Sequence, residues 1–239
     1  MPKYFVDLSG WAEGQKLQMS EDAAHHLMRV LRVRAGEKII ICDGKSIDYH
    51  CIVTSLKPLT MEVNSKCESK TEPECKITLY QAMPKADKLE WIIQKSVELG
   101  VYAVVPVYTE HSVSKNPRMD RLQKIAESAA GQSMRGIIPY VHPPIVWDEA
   151  FKQKKEILIA AHEKEKNFTL KMALKEICSA ACMPKEVGLW IGPEGGFSKK
   201  EAEAMENANF YLVSLGARIL RSETAAIAGI AQIMMEAEG

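Results

Sequence analysis

The sequence contains no C-x-x-C pair, no long apolar run and no excess of charge of either sign. Each absence removes a class of function. The longest apolar stretch, Val101 to Tyr108, has eight residues and includes Pro106. A spanning helix needs about 20. The opening residues MPKYFVDLSG show no basic region followed by an apolar one, so no secretory signal is expected and the cytoplasm is the expected compartment. Lys plus Arg equals 31 and Asp plus Glu equals 31, so bulk charge advertises neither nucleic acid nor membrane. Any RNA contact must come from a local patch. The six cysteines stand at 42, 51, 67, 75, 178 and 182, and the histidines complete no zinc pattern with them. Cys178 and Cys182 share one face of an expected helix and would make half a metal site; buried reduced thiols are the simpler reading. There is no G-x-S-x-G elbow for an esterase and no H-E-x-x-H for a zinc protease. A phosphate loop and a G-x-G-x-x-G fingerprint are both missing.

What is present is the balance of a folded chain. Of 239 residues, 46% are hydrophobic and 26% charged, enough apolar surface to bury a core in one large or two small domains. The first 70 or so residues read as a β-rich unit with one helix. Ser20 is a candidate N-cap, and Glu21 and Asp22 suit the positive end of the helix dipole. Ala24, Leu27, Met28 and Leu31 follow helical spacing as a core stripe, and His25, Arg29 and Arg32 form a second, basic stripe. Asp43-Gly44 between apolar runs predicts a hairpin pairing Ile39–Ile41 with residues near Ile47–Val53. The polar segment Ser65–Cys75 reads as a linker.

Beyond it strands and helices alternate. The expected strands are Ile77–Gln81, Ala103–Val107, Ile157–Ala161, Val187–Ile191 and Tyr211–Ser214. The expected helices are Asp87–Leu99, Arg121–Met134, Thr169–Ile177, Lys199–Ala208 and Glu223–Glu236. Ser198 and Glu201 fit a capping box for the fourth helix. Such alternation predicts an α/β domain with a mostly parallel sheet covered on both faces.

Ligands of open α/β sheets bind beyond the carboxyl ends of the strands. Two segments fall there. Gly192-Pro193-Glu194-Gly195-Gly196 follows the strand Val187–Ile191; its glycines permit close backbone approach, although a plain strand–helix turn would also use them. Leu215-Gly216-Ala217-Arg218-Ile219-Leu220-Arg221-Ser222-Glu223-Thr224 opens the last helix. There Ser222 would cap, Glu223 would face the dipole and the arginines would be solvated, unless the cluster is a site. His162 and Glu163 end a third strand. Gln132 and Arg135 end a helix, where Arg also has a purely structural use.

Taken together, HHLMRVLR from His25, Asp43-Gly44, KADKLEWIIQKSVELGV from Lys85, AESAAGQSMR from Ala126, IGPEGGFS from Ile191 and LGARILRSETA from Leu215 run in one order over nearly the whole chain. In this the chain resembles the RsmE family, bacterial 16S ribosomal RNA uridine-N3 methyltransferases of the knotted SPOUT superfamily. The resemblance implies a PUA-like RNA-binding β-barrel over 1–70 and a SPOUT methyltransferase domain with a trefoil knot over 77–239. It also implies S-adenosyl-L-methionine as cofactor, a homodimer, and 16S rRNA or the small ribosomal subunit as partner. Carried onto this chain, the cofactor pocket comprises His162, Ile191, Gly192, Pro193, Glu194, Gly195, Gly196, Leu215, Gly216, Ile219, Leu220 and Thr224. The sulfonium charge would favour Glu194 or Glu223 nearby.

Uridine N3 must lose its imide proton before it attacks a methyl carbon. Arg221 or Arg135 would stabilise the resulting anion and Glu223 would accept the proton. His25, Arg29 and Arg32 would meet phosphates. The chain departs from the family pattern at His111, where arginine is common, at Lys3, which stands near an N-terminal arginine position, and at Ser222, where threonine is usual. A knotted methyltransferase of another RNA, or an RNA-binding module without catalysis, are the alternatives.

Overall fold

The computed structural model describes residues 3–6, 11–30, 32–85, 88–112, 116–180 and 183–239. The chain divides into two compact units, Met1–Glu72 with Ala130–Ile138, and Pro73–Ala129 with Pro139–Gly239. The division at 1–70 and 77–239 drawn from sequence contains no such excursion of mid-chain residues into the first unit.

The first unit holds β1 (Lys3–Phe5), β2 (Lys16–Gln18), α1 (Glu21–Val30), β3 (Lys38–Cys42), β4 (Ile47–Leu56) and β5 (Leu59–Glu68). Its sheet runs β1-β3-β4-β5-β2, parallel between β1 and β3 and antiparallel elsewhere. Leu59, Met61 and Val63 are buried while Thr60 and Glu62 between them are not, the period of two that a one-sided sheet imposes. These residues pack with Leu27, Ile39, Ile41, Tyr49 and Val53. The predicted hairpin forms, with Ile41 opposite Tyr49 and Cys42 opposite Asp48. Its turn is held by Asp43 Oδ1, which accepts from the N–H groups of Lys45 at 2.7 Å and Ile47 at 3.1 Å.

Three local expectations are corrected. Ser65–Glu68 is not linker but the exposed outer end of β5, paired with Ile47–His50. Polar composition followed from solvent exposure there, not from absence of structure. Met28 is 37% exposed and so lies off the core stripe, which Ala24 and Leu27 carry. α1 ends at Val30, and Arg32 lies beyond it with φ of +52°, so the basic helical stripe consists of His25 and Arg29 alone. Leu31 lies outside the described residues.

The segment Ala130–Ile138 is fastened to this unit by charge. Glu72 accepts from Arg135 Nη2 at 2.5 Å and Nε at 3.3 Å, and from the N–H groups of Gly136 at 2.8 Å and Ile137 at 3.1 Å. Lys3 Nζ meets Asp48 at 2.7 Å and donates to the carbonyls of Met134 and Arg135 at 3.0 and 3.2 Å. The Arg135 side chain is 3% exposed. Removing one partner of such a pair leaves the other charge buried without compensation. Arg135→Ala should therefore cost about 3–5 kcal/mol in chemical denaturation. An unchanged denaturation midpoint would show that the pair does not hold the segment.

The second unit contains β6 (Lys76–Ala82), α2 (Lys88–Glu98), β7 (Ala103–Tyr108), most of α3 (Met119–Gln132), β8 (Tyr140–Val141), β9 (Ile145–Val146), α4 (Trp147–Phe151), β10 (Ile157–Ala161), α5 (Leu170–Ala180), β11 (Glu186–Ile191), α6 (Lys199–Asn207), β12 (Tyr211–Val213) and α7 (Ser222–Ala237). The expected strands and helices all appear, with ends moved by at most three residues; Asp87, expected to start a helix, lies outside the described residues. The sheet order is β12-β10-β11-β6-β7-β8, with β9 also on β7, and every pairing is parallel. β6, β7 and β11 are buried almost throughout, as strands covered on both faces must be. One face carries an aromatic cluster in which Tyr80 stacks on Trp190 at 4.5 Å, with Trp147, Phe151 and Phe210 around them. Against another part of the sheet α7 comes close through Gly229, where a Cβ would lie 2.9 Å from Leu189. β12, β10 and β11 are neighbours, so the chain leaves Val213, Ala161 and Ile191 at one edge. No helix among the described residues is long and apolar enough to cross a membrane.

Candidate cofactor site

The three loops that leave β10, β11 and β12 line a cavity of about 950 Å³. Its wall includes His162, Ile191, Gly192, Pro193, Glu194, Gly195, Gly196, Leu215, Gly216, Ile219, Leu220 and Arg221. Eleven of the twelve cofactor residues named from sequence are in that set. The twelfth, Thr224, is exposed and does not line it; Ala225 does. Glu163, Glu165, Lys166 and Thr169 also contribute, all from the loop after β10.

The turn after β11 is closed by the Gly196 N–H, which donates to the Pro193 carbonyl at 2.9 Å. Gly196 has φ of +69°, and a Cβ there would lie 2.6 Å from Glu163 Oε1. The positive φ is what calls for glycine; the neighbouring carboxylate ends a flexible, exposed side chain and would have to move aside for any other residue. Immediately after the turn, Ser198 and Glu201 form the expected capping box of α6. Glu201 also accepts from the N–H of Glu110 at 2.9 Å, and His111 Nδ1 lies 3.1 Å from the Gly196 carbonyl oxygen. His111 thus braces the glycine turn. Gly216, with φ of +130°, turns the second loop beneath no crowding side chain.

Both carboxylates suggested for the sulfonium are already engaged. Lys88 Nζ stands 2.8 Å from Glu194 Oε1 and 3.2 Å from Glu223 Oε2. The backbone N–H of Lys85 lies 3.3 Å from both Glu194 oxygens. Burial would push the Glu194 carboxyl up, but Lys88 and the backbone donors outweigh it and hold the group below its ordinary value. The link therefore persists at neutral pH and is lost as pH falls through that lowered value. Lys88 is itself held above its ordinary value, chiefly by its bond to Glu194. Sequence reading missed Lys88, although it stands in the KADK segment that opens α2.

Arg221 is exposed at the cavity wall. Glu223 is the second residue of α7 and outside the lining set, facing Lys88. Arg135 belongs to the first unit and is bound to Glu72 there. Ser222 does not cap α7. The cap position is Arg221, which makes no side-chain cap bond, and the Ser222 hydroxyl instead lies 2.6 Å from the Gly192 carbonyl oxygen.

No cluster of three metal-ligating side chains occurs among the described residues. The thiol of Cys178 faces the sulfur of Met183, and Cys182 lies outside the described residues. Burial pushes Cys42 up to about 12 and Cys51 and Cys75 up to about 11, so these behave as inert core thiols.

A parallel sheet whose outgoing loops enclose a glycine-lined cavity defines an α/β protein that takes its ligand beyond the strand ends. The chain belongs to the RNA methyltransferase family, whose domain model matches residues 71–234, and a model for the RNA methyltransferase PUA domain matches residues 20–63. It is 30% identical to ribosomal RNA small subunit methyltransferase E of Bacillus subtilis, over 100% of this chain and 98% of that protein. The corresponding Rickettsia conorii protein is 29% identical over 94% of this chain and 91% of its own length. Among solved structures, ribosomal RNA small subunit methyltransferase E from Neisseria gonorrhoeae, bound to S-adenosyl methionine, is 31% identical with a TM-score of 0.85. That match covers 98% of this chain and 97% of the other.

Proposed function

We propose that this protein methylates N3 of a uridine in 16S rRNA, using S-adenosyl-L-methionine held in the cavity between the Gly192 and Leu215 loops. The observation that carries the reading is the cavity itself, with backbone approach at Gly196 guaranteed by the absence of a Cβ. Main-chain groups of Gly192–Gly196 and Leu215–Leu220, with His162, would hold the cofactor. The cofactor, when bound, supplies a methyl group on a positively charged sulfur. The residues of this chain must do the rest.

N3 lies on the Watson–Crick edge, so the base must be unpaired or flipped out to reach a pocket. Arg221 stabilises the anion that forms on the uracil oxygens, an electrostatic contribution that is commonly the largest in such a site. Glu223 accepts the imide proton, and Lys88 orients its carboxylate. Arg135, the alternative anion stabiliser, is occupied by Glu72 and keeps a structural task.

The reading extends to the resembled architecture: a trefoil-knotted methyltransferase domain, a PUA-like barrel in the first unit, a homodimer and action on the small ribosomal subunit in the cytoplasm. Trp91 on α2 and Met235 on α7 are 46% and 72% exposed on two helices that pack together, apolar surface that a second copy would cover. His25 and Arg29, exposed on α1, and Arg32 just beyond it supply the local positive charge that a neutral chain needs for RNA. Arg29→Ala should flatten the salt dependence of RNA binding by about one unit of slope and leave cofactor affinity unchanged. An unaltered slope would remove Arg29 from the phosphate contacts.

The function itself is tested by mass mapping of 16S rRNA from a strain lacking the gene and from its complemented parent. Loss of a single 3-methyluridine, restored by complementation, is expected. Identical 16S maps with a modification missing from transfer RNA would replace the substrate.

A further inference from the structure

Gln81 is the penultimate residue of β6, in a strand whose other buried residues are Ile77, Thr78, Leu79, Tyr80 and Ala82, and it is 0% exposed. A primary amide in such surroundings is costly unless its polar atoms are bonded. Its Nε2 donates to the Ala82 carbonyl at 2.9 Å and to Ser222 Oγ at 2.9 Å, while its buried Oε1 has no partner among the described residues, so the amide is kept at a cost. Ser222, 5% exposed at the start of α7, lies 2.6 Å from the Gly192 carbonyl oxygen. That carbonyl can only accept, so the hydroxyl proton points to Gly192 and the hydroxyl oxygen must accept from Gln81. The donors therefore run in one direction, from Gln81 to Ser222 to Gly192. They connect β6, the N-terminus of α7 and the first residue of the glycine turn. Ser222 and Gly192 line the cavity; Gln81 does not.

We propose that Gln81 is a positioning residue which, through Ser222, sets the separation of the two loops that hold the cofactor. This rests on the reading of the cavity as the S-adenosyl-L-methionine site. Gly192 begins the turn that Gly196 closes, and Ser222 follows Arg221 directly. The relay thus fixes at once one wall of the cavity and the backbone that carries the anion-stabilising arginine. Filling the core at position 81 would need only an apolar side chain. An amide is needed because the hydroxyl, whose O–H is directed at Gly192, accepts from no other donor among the described residues.

The test is a double-mutant cycle read by calorimetric titration with S-adenosyl-L-methionine. Ser222→Ala and Gln81→Met should each weaken binding about tenfold, the scale of one buried hydrogen bond. Because both break the same relay, the double variant should also lose about tenfold, not about a hundredfold. Ser222→Thr retains the hydroxyl and should bind as the wild type does, which a packing role for a small side chain would not allow. Gln81→Glu gives a second readout. The protonated acid can donate to Ser222 and the carboxylate cannot, so its affinity should fall with rising pH where the wild type stays level. Full additivity, wild-type affinity in both single variants, or a level profile for Gln81→Glu would each overturn the proposal. Failure of the wild-type protein to bind S-adenosyl-L-methionine would instead strike the cofactor reading on which it rests.

Discussion

Gly196→Val should abolish measurable S-adenosyl-L-methionine binding in a protein that remains folded. Two effects act together at this position. Its φ of +69° is one that β-branched side chains almost never adopt, so the turn must change shape to accept valine. The new Cβ would also arrive 2.6 Å from Glu163 Oε1. The exposed Glu163 side chain can swing aside into solvent, so the backbone strain is the larger of the two effects, and the extra methyl groups of valine add bulk at the cavity wall. The change in the turn's shape displaces backbone that is meant to contact the ligand, and a loss of more than about a hundredfold is expected where several main-chain bonds go together. The surrounding sheet does not depend on the turn, so the thermal midpoint should move by only a few degrees. Gly196→Ala, strained but smaller, should fall between. Wild-type affinity in folded Gly196→Val would place the cofactor elsewhere.

The second large effect belongs to the chemical step. Arg221→Ala should lower kcat by about 10²–10³, the range found when one preorganised stabilising donor is removed. Cofactor affinity should change much less, because the charge that Arg221 meets develops only as the proton leaves. Glu223→Gln separates the proton acceptor from the anion stabiliser. It keeps the size and weakens the ion pair with Lys88, which stands 3.2 Å away in the parent. If Glu223 takes the proton, the loss should be greatest at low pH and recover partly as the uridine N3 ionises unaided. A loss independent of pH would give Glu223 the orienting role and leave proton transfer to solvent. Normal turnover in both variants would contradict the assignment, and Glu194 would become the carboxylate to examine.

Much of this arrangement is legible in the sequence because it is local. Short runs rich in bulky side chains such as Ile77–Gln81 and Val187–Ile191, alternating with helical segments, read as strands of a parallel sheet, and the glycines at 192, 195 and 196 mark a turn at a strand end. The capping box of Ser198 and Glu201 is likewise a four-residue signal. What escaped depends on contacts far apart in the chain. Arg135 at a helix end has a sufficient local explanation, yet its partner is Glu72, 63 residues away. Lys88 stands in a recognisable segment, but only the fold brings it against both Glu194 and Glu223. Ser222 reads as a cap because serine caps helices, whereas the cap falls one residue earlier and frees the hydroxyl for Gly192. The basic stripe failed for a different reason. Helical spacing carries Arg32 onto the face of His25 and Arg29 only if the helix continues, and α1 stops at Val30. Spacing shows where a side chain would point; it does not show where a helix ends.

The most direct measurement is methyl transfer by the purified protein from labelled S-adenosyl-L-methionine to small ribosomal subunits taken from a strain lacking the gene. The RNA is then digested to nucleosides and the label identified by mass. Label in 3-methyluridine, at one position of 16S rRNA and close to one methyl per subunit, is the result predicted here. Label in another nucleoside, or none from subunits that the protein demonstrably binds, would contradict it.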